Sequence, residues 1–302
     1  MSPKILLIDG SMAAQLKKFG YESMDHPPHW TFTANADVEL MKNVYASFLA
    51  LGVDIITTNT YNYGSTLDAT LEQDEATRSG HLKCFKNACD ALCQVVEEQK
   101  SGSQVWGSVG SVATTYHNLS EYHGNYADLP DAYNTALRFF ETILGAFRRE
   151  TSIRRLIFET VPTEVDAFAA LEALNKFPEF TAIMSFTFQQ NGRLRHGEKI
   201  DNIAKKLLET PQIVGIGINC TDPKNVSAAL NEINKYNFEN LLVYPNYGDA
   251  KLVDSTDTSS TFSRESVEEW VRNGATALGG CCGVDETEMR YLKAVLDRLN
   301  TQ

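Results

Sequence analysis

The chain has 302 residues, 43% apolar and 22% charged, with a formal net charge of −12. This length admits one large core or two ordinary domains. The acidic balance argues against broad nucleic-acid binding, which needs clustered Lys and Arg. No run approaches the roughly 18 apolar residues of a membrane span, and Met1-Ser2-Pro3-Lys4-Ile5 enters a strand-like segment with no charged leader or apolar signal core. A cytoplasmic protein with reduced thiols is therefore expected.

Eight short runs rich in apolar and β-branched residues read as strands: 4–9, 54–60, 104–110, 155–160, 181–187, 213–219, 240–246 and 275–280. They are continuous rather than alternating, as when both faces of a sheet are covered. Helix-like patterns separate them. Gly52 and Gly274 stand where a left-handed residue closes a helix. Asp222-Pro223 offers a capping side chain before a proline at the first helical position. Asp285 with Glu288 resembles a capping box, followed by a stripe of Met289, Leu292, Leu296 and Leu299. Strand–helix alternation repeated eight times, with no linker or break in composition, predicts a single α/β domain over 1–302, a (β/α)8 TIM-type barrel, rather than an open doubly wound sheet. The stretches leading into strands look short. Those leaving strands look long, roughly 61–73, 111–128, 188–198 and 247–262, which puts the long loops on the face that carries chemistry in such barrels.

Three cysteines fall at predicted strand ends: Cys220 after the sixth strand, Cys281 and Cys282 after the eighth. Neighbours in a regular strand point to opposite sides, so the adjacent pair can face one point only if the backbone leaves the strand. Gly279, Gly280 and Gly283 permit such a path. Three thiolates with one open position suit a catalytic Zn2+, in preference to Mg2+ or Ca2+. The bland reading is three buried cysteines acting as small hydrophobes. Cys84, Cys89 and Cys93 lie on one helix without further ligands and read as packing or surface thiols. The six histidines, at 26, 29, 81, 117, 123 and 196, have no ligand spacing at strand ends, which counts against a zinc hydrolase on the same fold.

Six segments taken in order carry a resemblance: Asp9-Gly10-Ser11-Met12-Ala13, Ile56-Thr57-Thr58-Asn59-Thr60-Tyr61, Gly107-Ser108-Val109-Gly110-Ser111, Phe158-Glu159-Thr160-Val161-Pro162, Gly217-Ile218-Asn219-Cys220 and Gly279-Gly280-Cys281-Cys282. Together they resemble the homocysteine S-methyltransferases. Two more, 120–126 and Tyr244-Pro245-Asn246-Tyr247-Gly248, resemble the branch that uses S-methylmethionine or S-adenosylmethionine. The resemblance implies one zinc per chain on Cys220, Cys281 and Cys282, with homocysteine sulfur as the fourth ligand. It also implies Asp9 and Glu159 on the α-ammonium of homocysteine. The amides around Gly10, Ser11 and Met12 are candidate donors to its α-carboxylate, and Thr58 and Asn219 are candidate pocket residues.

Relatives that use betaine carry a tyrosine directly after the strand-four glutamate, where this chain has Thr160, and they carry a longer C-terminal extension that helps them oligomerise. Both differences point away from betaine as donor and toward a monomer. Tyr116 to Tyr126 is aromatic-rich and could meet a sulfonium by cation–π attraction. The expected reaction is methyl transfer from a sulfonium donor to L-homocysteine, giving methionine. The non-catalytic alternative is a barrel that binds or senses thiols through zinc, which would hold homocysteine without forming product.

Overall fold

The computed structural model describes residues 3–21, 29–67, 74–248 and 260–301. Its eight strands are β1 (Leu6–Leu7), β2 (Ile55–Thr57), β3 (Gln104–Gly110), β4 (Arg155–Val161), β5 (Thr181–Phe186), β6 (Ile213–Asn219), β7 (Leu241–Tyr244) and β8 (Ala277–Leu278). All pairings are parallel, in the order β1-β8-β7-β6-β5-β4-β3-β2. An Ile8–Ile55 bridge, with Asp54 N donating to Leu7 O at 2.7 Å, joins the two ends and closes the barrel.

The predicted runs land on these strands, with β3 and β6 matching in both bounds. The first and last are cut to two residues each, because the chain leaves the sheet early at both: at Asp9-Gly10 into a helix cap, and at Gly279 into the cysteine turn. The helices are α1 (Met12–Lys18), α2 (Trp30–Thr33), α3 (Val38–Ala50), α4 (Glu75–Glu98), α5 (Ala132–Glu150), α6 (Glu164–Asn175), α7 (Asp201–Leu208), α8 (Pro223–Ile233), α9 (Arg264–Arg272) and α10 (Glu286–Leu299). Gly52 and Gly274 have φ of +77° and +92°, as their position past helix ends requires. Asp222 caps α8, with Pro223 at its start.

The expected capping box at α10 forms only by half. Asp285 accepts from Glu288 N at 3.0 Å, but Glu288 Oε2 instead accepts from Thr261 N and Ser260 Oγ, at 3.0 and 3.1 Å. A complete box stands at α9, between Ser263 and Ser266. Met289, Leu292 and Leu296 are buried as expected, with Leu299 packed at the margin.

Two apolar bodies follow from the alternation of strand side chains. The larger lies between sheet and helices. The smaller fills the barrel and includes Ile8, Ile55, Trp106, Ile157, Ile183 and Leu242. Two residues further along their strands from Trp106, Ile157, Ile183 and Leu242, on the same side, come Ser108, Glu159, Ser185 and Tyr244. The interior therefore changes from apolar to polar at the C-terminal ends of the strands. The long connections are partly folded: Tyr61–Leu67 is 3-10 helix, and 112–128 contains three 3-10 turns. Residues 68–73 and 249–259 of the predicted loops, and His26, lie outside the described residues.

The closure of the barrel at its N-terminal end leans on Asp54, whose carboxyl accepts from Leu7 N at 2.9 Å and pairs with Lys4. Asp54→Ala should lower the unfolding free energy by about 1–2 kcal/mol. Because it acts at the face remote from the polar layer, denaturant melts should register the loss while metal stoichiometry stays at the wild-type value.

Candidate metal and substrate site

Cys220 directly follows β6, and its φ of +44° is left-handed, a conformation that non-glycine residues avoid. That turn swings its side chain across the mouth. Cys281 and Cys282 sit in the turn after β8. The expected glycine path is present, but the glycines act in two ways. Gly279 and Gly280 are needed for close approach, since a Cβ would meet Ile8 and the Asp9 carbonyl at the first and Val284 at the second. Gly283 has φ of +79°, and a Cβ there would enter the Tyr247 ring. Backbone bonds from the β7 loop hold the turn: Cys281 N to Pro245 O at 2.9 Å, and Tyr247 N to Cys282 O at 3.1 Å.

The three sulfurs converge within 4.8 Å of one another, and Cys220 Sγ lies 3.4 Å from Cys282 Sγ. Cys220 and Cys281 are joined as a disulfide, with Cα atoms 5.6 Å apart. This departs from the expectation of three free thiols. A convergence tight enough for a disulfide is also what a shared cation needs, and the two states exclude each other, because a sulfur in an S–S bond is not a thiolate ligand. Tetrahedral coordination with Zn–S near ~2.3 Å places sulfurs somewhat under ~4 Å apart, so the reduced trio fits a metal. Among the described residues this is the one group of three or more Cys, His, Asp or Glu side chains so arranged. Cys282 is open to the mouth yet walled by protein. Burial, and then the charge of Glu121, push its thiol up to about 11. Without a cation it is therefore protonated at neutral pH. Cys84, Cys89 and Cys93 are free on α4, with Cys89 buried.

Asp9 and Glu159 are both brought to the mouth. Asp9 Oδ2 accepts from Thr57 N at 2.7 Å and Thr57 Oγ1 at 2.9 Å. Burial raises its carboxyl to about 7 against these bonds, and the charge of Glu159 adds to the rise. Glu159 accepts from the Ser108 hydroxyl and is likewise raised by burial. Neither carboxyl has a Lys or Arg partner among the described residues. The next residue, Thr160, has φ of +58°, an outlier for a β-branched side chain, at a register shift between Phe158 and Val161. Asn219 holds it there: Thr160 N donates to Asn219 Oδ1 at 2.9 Å, and Asn219 Nδ2 donates to Thr160 Oγ1 at 2.7 Å. Ser185 Oγ donates to the same Oδ1 at 2.7 Å, and Cys281 Sγ lies 3.9 Å from Nδ2. Asn219 is thus a brace joining β4, β5, β6 and the cysteine turn.

Gly10 packs against Met289 of α10. Ser11 caps α1, and its amide donates to Val284 O at 3.2 Å. That amide is therefore not available to a ligand, which corrects the expectation for Ser11 and leaves Gly10 N and Met12 N. Thr58 is buried, its hydroxyl 2.6 Å from Thr60 Oγ1 and accepting from Ser108 N at 3.0 Å, so it fixes the β2–β3 ends.

Sequence reasoning quoted Ser108 and Tyr244 within motif segments without giving either a role, and did not single out Ser185 or Arg195. Ser185 and Tyr244 are the last inward positions of β5 and β7, and Ser108 is the inward position before Gly110 at the end of β3, a signal visible once Glu159 sets the level. Tyr244 is buried, and its hydroxyl lies near Glu159 and Ser185 without meeting either in hydrogen-bond geometry. Arg195 donates to Thr187 Oγ1 at 3.0 Å and Cys220 O at 3.3 Å, and stacks over Tyr122 at 5.0 Å. Tyr122 approaches the Cys282 thiol, and Glu121 is close enough for its charge to act on Cys282 and Tyr61. Asp166, buried in α6, accepts from Tyr126 Oη at 2.8 Å and so anchors this loop.

A closed (β/α)8 barrel whose polar mouth gathers three cysteines and two unpaired carboxyls defines a barrel enzyme with a thiol-lined candidate metal centre. The family model for homocysteine S-methyltransferase matches residues 6–296, and the chain belongs to that family, whose reaction is methyl transfer to homocysteine. The betaine-homocysteine S-methyltransferase of Drosophila melanogaster is 28% identical, over 98% of this chain and 95% of its own. The selenocysteine Se-methyltransferase of Brassica oleracea is 27% identical, over 95% and 87%. The metallated form of the Escherichia coli homocysteine methyltransferase MmuM superposes with a TM-score of 0.80 at 25% identity, over 97% and 96%. No described helix is long and apolar enough to cross a membrane.

Two outcomes follow from this geometry. Reduced protein should take up one Zn2+ or Co2+, the latter with a thiolate-to-cobalt charge-transfer band, and single Ser substitutions at Cys220, Cys281 or Cys282 should abolish tight uptake. Wild-type stoichiometry in any of the three would remove that residue from the ligand set. Second, a buried carboxyl raised to about 7 holds its proton more tightly folded than unfolded. The slope of stability against pH is then negative between about 4 and 7, and this contribution is lost as pH passes the folded value. Asp9→Asn removes the group, so its melting temperature should gain on that of ligand-free wild type as pH rises from 5 to 8.

Proposed function

We propose that this protein transfers a methyl group from a sulfonium donor, S-methylmethionine and also S-adenosylmethionine, to L-homocysteine, with Cys220, Cys281 and Cys282 holding one zinc. The observation that carries the proposal is the convergence of three sulfurs beside two buried carboxyls that lack a cationic partner among the described residues. Bound zinc would hold the homocysteine sulfur as a thiolate at neutral pH, where a free thiol near pKa ~8.5 is mostly protonated.

The chain's own residues supply the rest. Asp9 and Glu159 bind the α-ammonium, which draws both carboxyls to their charged forms and offsets their burial. The amides of Gly10 and Met12 are the remaining donors for the α-carboxylate. Asn219 keeps Thr160, Ser185 and the cysteine turn in register, so it acts through its neighbours. In the transfer, the thiolate lone pair forms the new S–CH3 bond, and the donor sulfur keeps the electrons of the bond that breaks. An anion and a cation become two neutral thioethers, so a site that limits water favours the step, as does alignment of the two sulfurs with the methyl carbon.

Tyr61, Tyr122 and Glu121 border Cys282 on the loop side. Two aromatic rings and a carboxyl suit a donor with net positive charge, whereas the carboxylate of betaine would face Glu121. The tyrosine after the strand-four glutamate in betaine users is here Thr160, whose hydroxyl is committed to Asn219. The Drosophila relative is named for betaine; the preference for a sulfonium here rests on Tyr61, Tyr122 and Glu121 beside Cys282.

The test is methionine formation by reduced, zinc-loaded protein from L-homocysteine with S-methylmethionine, S-adenosylmethionine or betaine in parallel, beside a chelated control. Product from the sulfonium donors, lost on chelation, is the expected result. Betaine as the best donor, or full activity after chelation, would overturn the donor or the metal assignment respectively.

A further inference from the structure

The two carboxyls at the mouth are each engaged on one side. Both bonds from Thr57 fall on Asp9 Oδ2, and the Ser108 hydroxyl falls on Glu159 Oε2. These bonds leave one oxygen of each carboxyl for a ligand. An alkylammonium, however, carries three N–H donors and no acceptor. Asp9 and Glu159 account for two of the three.

Tyr244 ends β7 on the inward side, packed with the barrel-filling side chains, and is 4% exposed. Among the described residues its buried hydroxyl meets no partner in full hydrogen-bond geometry. The groups around it are Glu159, Ser185 and Asp9. Ser185 is already turned to Asn219, and Glu159 takes only acceptor contact from the phenol proton, which leaves the phenol oxygen open to a donor. A buried hydroxyl left unpaired destabilises a fold, whereas a phenylalanine would fill the same space without that cost. The hydroxyl is thus placed for a partner that arrives with the ligand.

We infer that the Tyr244 hydroxyl is the third acceptor for the α-ammonium of the bound amino acid, completing a three-point cradle with Asp9 and Glu159. The phenol oxygen receives the third N–H, and the phenol proton is then free to turn to the Glu159 carboxylate, so the donor and the acceptor capacity of the group are both used. Three fixed points set the tilt of the Cα–N bond, and hence where the thiol at the far end of the side chain comes to rest. Tyr244 is in this sense a specificity residue. It selects thiols bearing a free primary ammonium over hydroxy-acid, N-substituted or des-amino thiols of the same length.

This inference rests on the proposed binding of the ammonium by Asp9 and Glu159, so the test separates the two. Zinc-loaded wild type, Tyr244→Phe, Asp9→Asn and Glu159→Gln are titrated by calorimetry, without methyl donor, with L-homocysteine and with 4-mercaptobutanoate, which lacks the α-ammonium. Tyr244→Phe should weaken homocysteine roughly tenfold, as expected for one hydrogen bond to a charged group, and leave 4-mercaptobutanoate unchanged. Equal effects on both ligands, or none on either, would overturn the role of Tyr244 while the acid variants still narrow the gap between ligands. If the acid variants leave that gap intact, the ammonium reading fails and the cradle with it. Should the Phe variant not fold, wild type decides alone: N-methylhomocysteine, with one N–H fewer, must bind more weakly than homocysteine, and equal affinity would overturn the inference.

Discussion

Two adjacent cysteines cannot face one point from a regular strand, and the architecture of the mouth is arranged around relieving that constraint. β8 stops after two residues, the backbone passes between Ile8 and Val284 where only glycine fits, and a left-handed Gly283 closes the turn beneath Tyr247. Two hydrogen bonds from the β7 loop then fix the turn. Cys220 meets the pair from β6 through a left-handed backbone of its own. Strained residues of this kind persist only where the surroundings over-determine them. Here Asn219 supplies that determination, with its amide bound across to Thr160, itself left-handed, and to Ser185. The sulfur trio and the strand-four carboxyl are therefore positioned by one connected network.

The electrostatics of the mouth are unbalanced in one direction. Several surface acids sit near Lys or Arg in exposed pairs that contribute little to stability. The buried acids Asp9 and Glu159 have hydroxyls, an amide and each other. Burial holds both toward the neutral form, and a cationic ligand would supply what the fold withholds. The same holds for the thiols, of which Cys282 is pushed up to about 11. The ligand-free protein thus carries a charge deficit at the site, and positive species, a metal ion and an ammonium, are the ones that relieve it.

The strands and the three cysteines were legible because their signals are local: continuous apolar runs, glycine at left-handed ends, and a vicinal pair in a glycine turn. Asp9 and Glu159 were legible from the ordered motifs. The contributions of Asn219, Ser108 and Arg195 were not, because each has a partner 25 to 59 residues away, and pairing at that separation depends on register and bulges. The register shift in β4 that aims Glu159 and Thr160 leaves no mark in composition. The half-formed box at Asp285 failed for a related reason: the Glu288 carboxyl was claimed by the segment before α9, a tertiary competitor that a local pattern does not reveal. The Ser11 amide was lost in the same way to Val284.

The site also divides by the kind of element that carries it. The side chains assigned to the acceptor amino acid, with Thr58 and Asn219 that brace them, sit within two residues of strand ends, in a set of cross-strand hydrogen bonds of 2.7–3.0 Å. Groups assigned to the donor, Tyr61, Glu121 and Tyr122, sit on 3-10 turns. The latter loop is tied down through Tyr126 to Asp166 and through Tyr122 to Arg195. Strand-borne groups move little, so the thiol must be presented in one geometry. Loops that pack onto that platform can change their side chains without disturbing the sulfur trio. A barrel built this way constrains what is methylated more tightly than what donates the methyl. Relatives named for methyl transfer to the sulfur of homocysteine and to the selenium of selenocysteine share that chemistry at the chalcogen of an amino acid.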